Sequence, residues 1–179
     1  MYFLDRVDHT LKRMKSQTAN AMTLLNMTLG AIAIVCILKG QLELSFWFIF
    51  LCALFDRFDG MIARKLQIES EFGKQLDSLC DLISFGVAPA FLIYQAVLHE
   101  FGTPGIVFII IYMLCGAIRL ARFNITEFDG HFRGVPITAA GCIVALSFLT
   151  VNMIPNFIFM FLILILSFLM ISNVSVKKR

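Results

Sequence analysis

Between Gly134 and Val176 the chain runs through 43 consecutive residues without a single Asp, Glu, Lys or Arg. A soluble domain has no place for such a stretch, because its surface helices need a polar face. The run is too long for one helix across roughly 30 Å of hydrocarbon and about right for two, with the break expected at Asn152 to Pro155. Ser16 to Leu38 gives another 23 residues without formal charge, enough for a first span. Leu44 to Phe55 opens a second, which continues, if helical, to about Arg64. A third starts at Gly73 and runs through Leu98. The fourth extends from Pro104 to about Phe123, with proline at a helix start, where its missing N–H is harmless. The sequence therefore predicts an all-α integral membrane protein of six transmembrane helices. Composition agrees, with 59% of the residues hydrophobic, 15% charged and a mean hydropathy of +0.86.

Six spans put both termini on one side. That side then collects 14 of the 15 Lys and Arg residues, Lys39 being the exception. Positive residues are retained in the cytoplasm, so both termini and the segments between spans two and three and between four and five are expected there, with the protein multi-pass in the cell membrane. Residues 1–17 carry too many charges for a cleavable signal. As a helix they align Phe3, Leu4, Val7, Leu11 and Met14, which suits an amphipathic helix lying in the cytoplasmic interface against lipid headgroups. The expected organisation is that helix at 1–17 followed by one membrane domain at 18–179. The five cysteines are scattered without a C-x-x-C pair, which argues against disulfides and zinc. The three histidines show no ligand spacing, and no nucleic-acid partner is expected.

The remaining charges need a reason to be there. Asp56 and Asp59 lie three apart and Asp77 and Asp81 four apart, so each pair shares a helix face, near the cytoplasmic ends of adjacent spans. A carboxylate at mid-bilayer costs about 2.5–3.5 kcal/mol on the insertion scale, less toward the interface. Arg57 and Arg64 could neutralise the group as a purely structural network. Four hard oxygen donors without soft ligands also suit Mg2+, Mn2+ or Ca2+. A small cation transporter is a third reading, since intramembrane acids are expected there too. Gly60 and Gly73 remove side chains beside the acids and Ala63 keeps the same face shallow, which admits a bulky phosphate or simply a neighbouring helix. Arg64 offers a donor fork to phosphate. In the first span Asn20, Thr23 and Asn26 form a polar stripe fit either for ligand contact or for interhelical hydrogen bonds.

Written as a pattern, Asp56 to Asp81 reads D-x-x-D-G-x-x-A-R-x8-G-x-x-x-D-x-x-x-D. It resembles the signature of the CDP-alcohol phosphotransferase family at each specified position. The resemblance implies two divalent cations per protomer, Mg2+ or Mn2+ with Ca2+ as another occupant, held by Asp56, Asp59, Asp77 and Asp81. It further implies that Asp81 is catalytic, taking the alcohol's proton, and that Gly60, Ala63, Arg64 and Gly73, with Asn20, Thr23 and Asn26, contact CDP-diacylglycerol. Segments Asp77 to Ala90, Arg119 to Asn124 and Phe132 to Pro136 are similar to members whose acceptor is L-serine, although Val135 and Ile137-Thr138 depart from the usual pattern. On that basis Arg119, Arg122 and Arg133 are candidates for the serine carboxylate. Glycerol 3-phosphate or an inositol phosphate would also use basic residues, so arginine alone does not choose the acceptor. The family resemblance also implies a homodimer in membrane lipid, with the active site cytoplasmic.

Overall fold

The computed structural model describes residues 2–66, 71–125, 131–172 and 175–177, with side chains described at 20–57, 71–125 and 134–172. Helix α1 (Tyr2–Leu38) turns at Lys39-Gly40 into α2 (Leu42–Leu66). Gly40 takes the turn at φ +75°, where a side chain would be strained. The next rod is composite: α3 (Glu71–Asp81), a π-helical turn (Leu82–Val87) and α4 (Ala88–Ala96). A 3-10 turn (Leu98–Phe101) leads into α5 (Thr103–Ile125). Strand β1 (His131–Arg133), α6 (Ile137–Ser147) with a 3-10 extension (Phe148–Thr150), α7 (Asn156–Ile171) and strand β2 (Ser175–Lys177) complete the order.

Among the described residues the architecture is all-helical apart from β1 and β2, which pair antiparallel with Phe132 opposite Val176. Helix α1 packs along α2, α5 along α7, and α4 against α6. Fully buried Phe85, Tyr112, Ile137, Val144 and Ile163 form the main core. A second cluster of Ala33, Ile37, Ile49, Ala88 and Leu92 joins α1, α2 and α4. Large apolar side chains such as Trp47, Leu114, Phe161 and Phe168 face outward, whereas Thr23, Asn26 and Ser84 are buried. An apolar exterior over polar interior contacts fits a lipid environment.

Among the described residues, three helices are long and apolar enough to cross a membrane: Asn20–Leu38, Glu71–Ala96 and Thr103–Ile125. Ile137–Thr150 and Asn156–Ile171 are apolar but shorter, about 22–24 Å at ordinary helical rises. The uncharged run thus divides at 151–155 as expected, Pro155 capping α7, but α7 ends at Ile171 and the tail continues into β2. The N-terminal segment differs from expectation as well. No Gly or Pro separates it from the first span, and α1 is one uninterrupted helix of 37 residues. The amphipathic face expected over 1–17 involves side chains outside the described residues.

Candidate functional site

Helices α2 and α3 bring their carboxylates together where the C-terminal half of α2 meets the start of the composite rod. Asp56 precedes the end of α2 by ten residues and Asp81 follows the start of α3 by ten. At a 1.5 Å rise both lie about 15 Å from their helix ends, so antiparallel rods place them level. One carboxylate oxygen each from Asp56, Asp77 and Asp81 lies within 4.8 Å of the others. Asp56 and Asp81 are half-buried and Asp77 more exposed. Asp56 and Asp81 are within hydrogen-bond reach, which two carboxylates sustain only around a shared proton or a cation. Three full charges at this spacing would repel by about 3 kcal/mol per pair at an effective dielectric near 20.

The donor chemistry fits a divalent cation, since the three converging ligands are hard oxygens. Two thiols on the acid-bearing helices are engaged elsewhere. Cys52 donates to the Asn26 carbonyl at 3.6 Å and Cys80 to the Thr23 carbonyl at 3.3 Å, both on α1. Ser84 donates to the Asn26 carbonyl at 3.4 Å. These three bonds end on main-chain carbonyls of α1, while the side chain of Asn26 is buried and its Oδ1 has no hydrogen-bond partner. Asn20 is half-buried at the end of the stripe.

Helix α5 contributes the opposite charge. Arg119 is half-buried and in electrostatic reach of Asp81, and its buried Nε has no hydrogen-bond partner. An unmatched buried donor costs about 1–3 kcal/mol, which an anionic ligand would recover. Arg122 is exposed and donates through Nη1 to the Ile171 carbonyl at 3.2 Å, tying α5 to the end of α7. That end also meets the segment after β1: the Val135 N–H donates to the Leu169 carbonyl at 3.2 Å. Gly134, at φ +73°, lies so close that a Cβ would sit 2.5 Å from the Met170 carbonyl oxygen. The side chains of Asp59, Ala63, Arg64 and Arg133 lie outside the described residues; Asp59, Gly60, Ala63 and Arg64 are on α2 and Arg133 on β1. Gly73 is on α3, which starts two residues earlier than expected.

A clamp beside Asp77 was not anticipated from sequence. Asn124 at the end of α5 donates to Gln75 Oε1 at 3.1 Å and to Ser78 Oγ at 3.0 Å. Lys74 donates to the Asn124 carbonyl at 3.2 Å and sits 5.5 Å from the Phe123 ring centre. These contacts hold the acid-bearing turn of α3 against α5. The spacing of Lys74 and Ser78, one turn apart and flanking Asp77, was the available signal.

Residues 16–171 match the CDP-alcohol phosphatidyltransferase family. The chain belongs to this family. Its relatives include the CDP-diacylglycerol–serine O-phosphatidyltransferase of Bacillus subtilis, 42% identical over 71% of this chain and 73% of that protein. The protein of the same description from Methanocaldococcus jannaschii is 39% identical over 88% of this chain and 72% of its own length. The archaetidylserine synthase of Methanothermobacter thermautotrophicus is 38% identical over 88% of this chain and 68% of its own. In a CDP-alcohol phosphatidyltransferase the convergence of Asp56, Asp77 and Asp81 marks the candidate reaction centre, and Arg119 stands at its edge.

Proposed function

We propose that this chain transfers the phosphatidyl group of CDP-diacylglycerol to the hydroxyl of L-serine, giving phosphatidylserine and CMP, at the cytoplasmic face of the cell membrane. The observation that carries the reading is the close approach of three carboxylates from α2 and α3 in a chain of this family, whose relatives named above act on serine or form archaetidylserine. Asp56, Asp59, Asp77 and Asp81 hold two divalent cations, Mg2+ or Mn2+, which when bound neutralise the pyrophosphate and the charge developing on departing CMP.

The chain's own residues do the rest. Gly60, Ala63 and Gly73 leave the donor room beside the helices, and Arg64 offers its fork to a phosphate. The stripe of Asn20, Thr23 and Asn26 lines the donor side of α1. Arg119 meets the serine carboxylate, with Arg122 and Arg133 adding positive charge at the mouth. The serine hydroxyl oxygen bonds to the lipid-side phosphorus, the bond from that phosphorus to the CMP oxygen breaks, and the hydroxyl proton passes to Asp81. The diacylglycerol tails stay in lipid against the outward apolar side chains. The two termini lie in the cytoplasm with the site, and six helical rods traverse the bilayer. Pairing as a homodimer leaves each acid cluster within one protomer.

The test is CMP release by purified protein given CDP-diacylglycerol, Mn2+ and one acceptor at a time. Release with L-serine and not with glycerol 3-phosphate or an inositol phosphate supports the reading. Release with glycerol 3-phosphate and not serine overturns it.

A further inference from the structure

The composite rod breaks its α-helical register directly after Asp81, and the reason is visible four residues beyond Phe85. Position 89 is proline, which has no N–H to donate to the Phe85 carbonyl and whose ring crowds it. The chain answers with a π-helical turn over Leu82–Val87, in which the Ala88 N–H reaches the Ile83 carbonyl, five residues back. One residue inserted into a helix rotates the part before it by about 100° relative to the part after it. The turn therefore sets the direction in which Asp77 and Asp81 leave the rod, while α4 stays anchored in the core.

Three neighbouring helices grip this turn. From α5, the fully buried Tyr112 hydroxyl donates to the Phe85 carbonyl at 3.1 Å, supplying a donor where proline withholds one. From α6, Gly141 is so near that a Cβ there would lie 2.5 Å from the Phe85 oxygen. On the α1 side a Cβ at Gly30 would come 2.6 Å from Ser84 Oγ, the hydroxyl bonded to the Asn26 carbonyl. Asp56 is carried independently on α2, so its approach to Asp81 depends on how the rod is rotated.

We propose that Tyr112 is a positioning residue for the metal centre: by holding the Phe85 carbonyl it fixes the π-helical turn that aims Asp77 and Asp81 at Asp56. The proposal rests on the metal reading of the acid cluster. Tyr112 touches no substrate; it acts through the turn. Removing its hydroxyl loosens the turn and spreads the carboxylates, weakening cation affinity beyond what an equal loss of stability elsewhere would do. Outer partners that orient ligands commonly matter ten-fold or more for metal affinity.

The experiment is Mn2+ titration by electron paramagnetic resonance on the full chain in lipid nanodiscs, without substrates. Tyr112→Phe and Gly141→Ala should each raise the Mn2+ Kd about five-fold or more. Ser167→Ala, which deletes a buried hydroxyl bond to the Ile163 carbonyl in α7, should stay within about two-fold of wild type. Tyr112→Phe within two-fold of wild type, or Ser167→Ala weakened equally, overturns the proposal. Should Tyr112→Phe fail to fold, Ser84→Ala, which releases the turn from α1, decides by the same thresholds. A wild type that binds no Mn2+ overturns the metal reading and this one with it, whereas an unaffected Tyr112→Phe beside a binding wild type overturns this one alone.

Discussion

Replacing Asp56 by Asn should invert the order of stability between metal-free and metal-loaded protein. Asp56 lies within 4.8 Å of both Asp77 and Asp81, so full ionisation would cost about 3 kcal/mol for each of two pairs at an effective dielectric near 20. Asp77 is exposed and Asp56 only half-buried; water and salt screen such pairs heavily, leaving about 1–2 kcal/mol. Asparagine keeps the shape and removes the charge, so in EDTA the variant should melt about 2–8 °C above wild type. Saturating Mn2+ should reverse this. A ligand at a hundred times its Kd adds about 2.7 kcal/mol to the protein that binds it, and the variant lacks one of the converging oxygens. Thermal unfolding in detergent, followed by tryptophan fluorescence with EDTA and then with Mn2+, reads both limits. A variant that melts lower than wild type in EDTA and gains as much from Mn2+ would refute the reasoning.

Arg119→Lys should raise the KM for serine at least ten-fold and leave that for CDP-diacylglycerol unchanged, because a point charge replaces a planar fork at the acceptor side; steady-state CMP release with each substrate varied measures it. Asn124→Ala removes two donors from the clamp on α3 and should lower stability by about 1–2 kcal/mol, with reduced kcat and unaltered protein yield, read by melting and turnover. Gly105→Ala would press a Cβ into the Leu98 carbonyl, a backbone contact that cannot yield, and should cost about 1–3 kcal/mol in thermal unfolding.

The helical plan was legible because charge is excluded from lipid and because Pro104 and Pro155 mark helix starts. Asp77 and Asp81 were legible as a pair because a spacing of four keeps acids on one face, and Asp56 through the longer pattern that runs from it to them. Other features depend on partners distant in sequence. Charge suggested a boundary near residue 17, yet nothing there breaks a helix, and α1 continues. The π-helical turn was not read from the sequence, because it depends on Tyr112, Gly141 and Gly30 from three other helices as well as on Pro89. Asn124 meets Ser78 across 46 positions, beyond any local pattern. The pairing of β1 with β2 joins the tail to a loop over a similar distance, and three-residue strands leave no periodicity to read.

Anomalous diffraction at the manganese edge, from crystals soaked with Mn2+ and CDP-diacylglycerol, tests the central claim most directly. Two peaks should lie among the carboxylates of Asp56, Asp59, Asp77 and Asp81. Density for the liponucleotide there without any manganese peak between those residues would contradict it.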